Sequence, residues 1–349
     1  MPHRLHYSIT AVCLACAMAF APWAFAQPIP GYSLTKTVAL GAPDHWDFVV
    51  FDPASHKVFV AHGDRVTVVD GGTGEIIGNV DGLPGGTHGV AVVSGTDRAY
   101  TDDGRAGTAA SFDIDKLTLI KSIKADADAD AIVFDPVSGQ VFVVDGDPGK
   151  LTVIDPKTDS AVATIDGGGK LETAVAGGNG KLYVNGEEKR EILRVDTANN
   201  EIDAHWPIPN CKSPHGLAFD SITHRLFSSC ANNVLVVVDS DTGATVATLP
   251  IGSRSDAAAF DPKRKLIFSS NGDGTLSVIA EKDANSFEAV ASVPTALGAR
   301  TMALDPETGR LYLVTADMTI NPAADPSDFR RRYIVTPGSA KLLFLDPTP

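Results

Sequence analysis

The chain has 349 residues, 43 acidic against 29 basic, and a formal net charge of −14. That balance repels the phosphate backbone of nucleic acid and anionic lipid, so a nucleic-acid partner is not expected. No apolar run reaches the roughly 20 residues of a transmembrane helix, and a soluble protein is predicted.

At the N-terminus, Arg4 and two histidines precede the apolar stretch Ile9 to Phe20 and the small-x-small site Ala24-Phe25-Ala26. This is the pattern of a secretory signal peptide, with cleavage between Ala26 and Gln27. Residues 1–26 are therefore expected to be removed, leaving 27–349 as one domain, periplasmic or secreted. Loss of Arg4 moves the net charge of −14 to about −15. Cys13 and Cys16 lie inside the leader. Cys211 and Cys230 remain, and in an oxidising compartment they are predicted to form a disulfide.

The mature chain is repetitive. An apolar run ends in Asp, and five residues later Lys, Arg or Gln opens a second run: Asp52 with Lys57, Asp135 with Gln140, Asp220 with Arg225, Asp305 with Arg310. Asp261 with Lys265 is one residue shorter, and degenerate copies start at Val93 with Arg98 and near Gly177 with Lys181. Successive markers are about 41 to 44 residues apart. Each unit goes on to a third run, such as Lys150-Leu-Thr-Val-Ile-Asp155, and after a turn to a fourth, such as Thr245-Val-Ala-Thr-Leu249. Four short β-rich runs separated by Gly, Pro, Asn and Asp are four strands. Repeated every 40-odd residues, they predict an all-β, seven-bladed β-propeller with four-stranded antiparallel blades. The last unit supplies only three runs, ending at Lys341-Leu-Leu-Phe-Leu-Asp346. Tyr32 to Ala39 is a lone strand of the fourth type, and pairing it into the last blade would close the ring.

The Lys/Arg-Leu-Tyr-Val, hydrophobic-Val-Asp and Thr-Gly pattern resembles the YVTN family of β-propeller repeat proteins, which includes the YncE-like periplasmic proteins. Tyr183-Val184-Asn185 and Tyr312-Leu313-Val314-Thr315 fall where that family's namesake tetrad lies, although no copy reads Tyr-Val-Thr-Asn in full. The resemblance covers the mature chain and implies the fold. It carries no catalytic motif.

In a propeller the first strand of each blade lines the central channel. Five residues before each marker stand Asp47, His88, Asp130, Glu172, His215, Asp256 and Arg300, so all seven copies offer an ionisable group at the channel mouth. Converging carboxylates repel one another unless a cation sits among them. Asp47, His88, Asp130, His215 and Asp256 are the candidate metal ligands, and such a mixed set suits zinc, manganese or iron better than calcium. The alternative is a layer that hydrogen-bonds backbone amides or lines a watery channel.

Residues 316–340, between the second and third runs of the last blade, read as a structureless loop of about 25 residues over the same face, a lid in character. Its Arg330, Arg331 and Arg332 could meet the acidic rim or clamp an anion. Cys211 and Cys230 map to that face too, where a disulfide would staple two loops. Gly71-Gly-Thr-Gly74 resembles a phosphate loop but has no following helix. Asp126, Asp128 and Asp130 alternate without the glycine and glutamate of a calcium-binding EF-hand. The reading is a monomeric binding module that takes a small molecule or a protein on its top face. Its alternative is a metal-assisted hydrolase of esters or lactones, like the seven-bladed lactonases in architecture, with a divalent metal as cofactor.

Overall fold

A computed structural model of the chain describes Met1, His3 and residues 31–324 and 331–348. Apart from Met1 and His3, the leader lies outside the described residues, as does Arg330. Seven four-stranded antiparallel sheets form the blades of a propeller. Blade 1 runs through Val49–Asp52, Lys57–His62, Arg65–Asp70 and Ile76–Asp81, and blades 2 to 6 repeat the order without interruption. Blade 7 takes Thr301–Leu304, Leu311–Thr315 and Lys341–Thr348 from the C-terminal part of the chain. Its outermost strand is Gly31–Ala39, which pairs with Lys341–Thr348. The ring closes as the sequence predicts. Among the described residues the only helical element is a short 3-10 turn at Gly104–Ala106, and no helix is long and apolar enough to cross a membrane.

The marker aspartates have a local cause. Asp52, Asp135, Asp220, Asp261 and Asp305 each accept backbone N–H groups from the turn that follows, as Asp220 does from Ile222 at 2.8 Å. A short acidic side chain offers the turn this hydrogen bond, which is why the first strand stops there. The second strand then places an aromatic ring at the same register in every blade: Phe59, Tyr100, Phe142, Tyr183, Phe227, Phe268 and Tyr312, each at most 1% exposed. Both faces of a blade pack on neighbours, so the second and third strands are buried along most of their length. The outermost strands are largely exposed. Each core cluster joins adjacent blades, as where Phe59 and Val68 of blade 1 meet Val90 and Phe112 of blade 2. Stacking, rather than any blade alone, removes the apolar surface from water.

Residues 316–340 correct the expectation of a structureless loop. Met318–Ile320 pairs with Tyr333–Val335 as a small hairpin, Thr319 facing Ile334. Both arms are β-branched, aromatic or long apolar residues, which suit a strand, although each is only three residues long.

Candidate functional site

The register set by the aromatic rings carries the candidate residues with it. Val50, Ala91, Val133, Val175, Ala218, Ala259 and Ala303 lie opposite those rings. Counting back three residues from each gives Asp47, His88, Asp130, Glu172, His215, Asp256 and Arg300, so the shortened fourth copy keeps step with the rest. All seven line one cavity of about 300 Å³ at the hub. Further along the same strands the channel turns apolar, lined by residues such as Phe48, Val90, Leu217 and Met302. On the other side of the ring, Asp128, Asp147 and Lys170 continue the polar lining.

Small groups make the layer possible. Hydroxyls and an amide of neighbouring blades hold the backbone carbonyls of ring residues: Thr301 donates to Asp47 C=O at 2.6 Å, Asn185 to His215 C=O at 2.7 Å, and Ser270 to Arg300 C=O. Gly216, directly after His215, lies so near blade 6 that a Cβ would meet the Ala257 and Ala258 backbone at 2.4 Å.

The side chains divide into two triads, Asp47–His88–Asp130 and Glu172–His215–Asp256. In each, one donor atom per residue lies within 4.8 Å of the others. In the second triad His215 Nδ1 stands 3.1 Å from both Glu172 Oε1 and Asp256 Oδ1. Arg300, from blade 7, sets its Nε 3.0 Å from Asp256 Oδ2 and reaches Asp47 Oδ2 only at 3.9 Å. In the first triad His88 Nδ1 turns to a residue outside the ring, donating to Asp102 Oδ2 at 2.7 Å. Asp102 is wholly buried at the end of the second strand of blade 2. It also accepts the N–H groups of His88 at 2.9 Å and Gly89 at 2.7 Å.

The electrostatics follow this geometry. Burial, the repulsion of Asp256 and the counter-pull of Arg300 leave Asp47 with a pKa raised to about 7. Burial and the Asp47 charge push Asp130 well above the carboxylate range, and burial raises Glu172. Asp256 goes the other way. Against the cost of burial, Arg300 and the His215 hydrogen bond hold it below its ordinary value. Burial works against a charged imidazole at both histidines, yet their carboxylate partners raise His88 and His215 to about 10. The ring is thus not the purely repelling set of anions that its carboxylates suggest, because protonated imidazoles and a guanidinium are interleaved.

Beside the hub, a second cavity of about 770 Å³ extends from His215, Asp256 and Arg300 to the paired strands Met318–Ile320 and Tyr333–Val335. Arg332, Tyr333 and Ile320 close its outer side, with Arg254 lying over the Tyr333 ring at 4.5 Å. Of the three arginines singled out in the sequence, Arg332 therefore reaches the site. Arg331 offers its carbonyl to Asn321 Nδ2 at 3.0 Å within the insertion. Cys211 and Cys230 are bonded as expected, with Cα atoms 5.3 Å apart, and fasten the loop before His215 to the end of the second strand of blade 5. Trp46 packs half-buried against the cluster between blades 7 and 1.

Asp102 is missed when only first-strand positions are read. Its signal lies two residues past the buried aromatic of each second strand: Ala61, Asp102, Val144, Asn185, Ser229, Ser270 and Val314. One acid stands among six neutral residues.

No protein-family model matches the chain, and no curated protein matches it in sequence. Solved structures match in fold. The chain is similar to hydrazine synthase of Kuenenia stuttgartiensis, with 16% identity, a TM-score of 0.68, and coverage of 84% of this chain and 96% of that one. It is similar to the WD40 repeats of RRP9, with 10% identity, a TM-score of 0.73, and coverage of 88% and 97%. A chain of the mitotic checkpoint complex gives 15% identity, a TM-score of 0.74, and coverage of 99% and 100%. At these identities the likeness establishes the seven-bladed propeller and nothing finer.

Proposed function

We propose that this is an extracytoplasmic, YVTN-type propeller that binds a small organic ligand at the channel mouth, between the ionisable hub and the paired strands Met318–Ile320 and Tyr333–Val335. The observation that carries the reading is the convergence of one ionisable side chain from every blade on a single cavity that continues into a pocket of about 770 Å³. Leu297, Ile320 and Tyr333 give that pocket apolar walls, and Arg254, Arg300 and Arg332 border it. Walls of that kind with a few converging cations suit a ligand with an apolar body and an anionic group. The leader-like N-terminus and the Cys211–Cys230 bond support a place outside the cytoplasm.

A thermal-shift screen of small carboxylates, phosphates and neutral analogues tests the reading. An anionic compound is expected to raise the melting temperature saturably, and Tyr333→Ala to abolish the shift. No shift across the screen, with nothing retained in native mass spectrometry, sinks it. A protein partner on the same face is the second reading. Ile320 and Ile334 on the hairpin, 57% and 53% exposed, favour it, and one fold neighbour comes from a mitotic checkpoint complex.

A further inference from the structure

Carboxyl groups without a close cationic partner are confined to one half of the hub. Around His215, two carboxylates face an imidazole and a guanidinium, and the half is balanced by its own ion pairs. Around His88, Asp47, Asp130 and buried Asp102 face one imidazole. Among the described residues the Asp130 carboxylate accepts no hydrogen bond, and Asp47 has only the 3.9 Å approach of Arg300. His88 is oriented from behind: Nδ1 is committed to Asp102, and Nε2 has no hydrogen-bond partner among the described residues. Gly104 makes room for that ring, since a Cβ there would lie 2.5 Å from His88 Cε1.

We propose that Asp47, His88 and Asp130 bind a first-row divalent transition-metal ion such as Zn²⁺ or Mn²⁺, with Asp102 as the positioning residue that fixes the imidazole. A histidine that gives one ring N–H to a carboxylate and offers the other nitrogen to a metal is a recurrent arrangement, and the carboxylate sets both tautomer and ring direction. One imidazole nitrogen with two carboxylate oxygens suits zinc or manganese, whereas calcium takes six to eight oxygens. Donors on a sphere of about 2.1 Å radius lie roughly 3 to 4 Å apart. One donor atom of each of the three residues lies within 4.8 Å of the others, and side-chain rotation would have to close the set to that spacing. Three protein ligands leave positions open toward the hub cavity, where a ligand atom could coordinate. The inference deepens the reading of the hub as a ligand site, yet it concerns an ion that binds without the organic ligand, so the two can fail separately.

The test is titration of the full-length mature protein, freed of metal by chelator and dialysis, with Zn²⁺, Co²⁺, Mn²⁺, Mg²⁺ and Ca²⁺. Calorimetry gives stoichiometry, and the visible spectrum of Co²⁺ reports the donor set. One Zn²⁺ or Co²⁺ per chain is expected, bound more tightly than Ca²⁺ or Mg²⁺. Asp130→Asn and His88→Gln should each weaken binding about 100-fold, and Asp102→Asn about 10-fold with an altered Co²⁺ spectrum. Asp64→Asn, a surface acid on the same face, should change nothing. Circular dichroism checks that each variant is folded, and Asp47→Asn serves if another is not. No saturable binding of Zn²⁺, Co²⁺ or Mn²⁺ at millimolar concentration overturns the proposal. So does binding that survives Asp47→Asn and Asp130→Asn but is lost in Glu172→Gln, which would put the ion in the opposite triad. Metal binding without any organic ligand would leave this inference standing and remove the reading above; the reverse result would do the opposite.

Discussion

The two halves of the hub carry nearly the same side chains in the same register, yet they settle their charges differently. Blades 4 to 6 present Glu172, His215 and Asp256, and the imidazole shares its proton between the two ring carboxylates. Blades 1 to 3 present Asp47, His88 and Asp130, and the imidazole turns to Asp102 behind the ring. One residue on the second strand makes the difference. In blade 5 Ser229 accepts the N–H of Gly216 at 3.1 Å, as Asp102 in blade 2 accepts the N–H of Gly89 at 2.7 Å. The serine does the backbone's work but brings no charge to draw the imidazole away. A ring read as seven equivalent positions is thus two sites, one closed by its own ion pairs and one left with carboxylates to spare.

The comparison breaks most readily at its two aspartates. Asp256→Ala would leave Arg300 and His215 without the carboxylate that both contact, in a place where its side chain is 13% exposed. Removing one partner of a largely buried cluster strands the others, and a loss of about 3–4 kcal/mol is expected. Asp47→Ala, at the same register, removes a carboxylate that burial already disfavours and that no ion pair closer than 3.9 Å holds. Its loss should cost under about 1 kcal/mol in the metal-free protein. Urea denaturation at neutral pH measures both. Equal losses would mean that the halves are electrostatically alike.

The glycines that follow the two histidines sharpen the same contrast. A Cβ on Gly216 would lie 2.4 Å from the backbone of blade 6, which cannot yield without moving the blade. On Gly89 it would meet Ile132 Cγ2 at 3.1 Å and the Ile132 amide at 3.3 Å, tight but longer approaches. Gly216→Ala is expected to cost about 2–3 kcal/mol and Gly89→Ala no more than about 1 kcal/mol, both read as shifts in melting temperature. A reversed order would show that the close half is the first one.

How far these features are legible in the sequence depends on whether they repeat. The ring is legible because Asp52, Asp135, Asp220, Asp261 and Asp305 cap a turn whose geometry every blade needs, so counting back from them lands on the hub. The fourth copy lacks that aspartate, having Gly177, but its Tyr183 keeps the register that places Glu172. What repetition hides is the exception. Asp102 occupies a second-strand place where six blades carry Ala, Val, Asn or Ser, and which imidazole nitrogen an acid captures depends on a contact across strands. The hairpin in 316–340 is obscured for another reason. Met318–Ile320 and Tyr333–Val335 are only three residues each, too short for a period of two to stand out from chance.

The pH dependence of stability is the most direct reading of the closed half's charge. His215 faces Glu172 and Asp256, with Glu187 and Arg300 nearby, and its pKa in the folded chain is raised to about 10 from an ordinary value of 6.5. A group that holds its proton more tightly when folded stabilises the fold fully below its unfolded pKa and loses that contribution as pH rises through the folded one. Wild type should therefore exceed His215→Gln in stability most clearly near pH 6. The gap should narrow steadily from about pH 6.5 and vanish by about pH 10, and denaturation of both proteins across that range measures it. Glutamine can still donate a hydrogen bond to either carboxylate but cannot carry the charge. A gap that stayed level with pH would mean that Glu172 and Asp256 hold the side chain by shape and neutral hydrogen bonding, and the two halves of the hub would then differ in geometry without differing in charge.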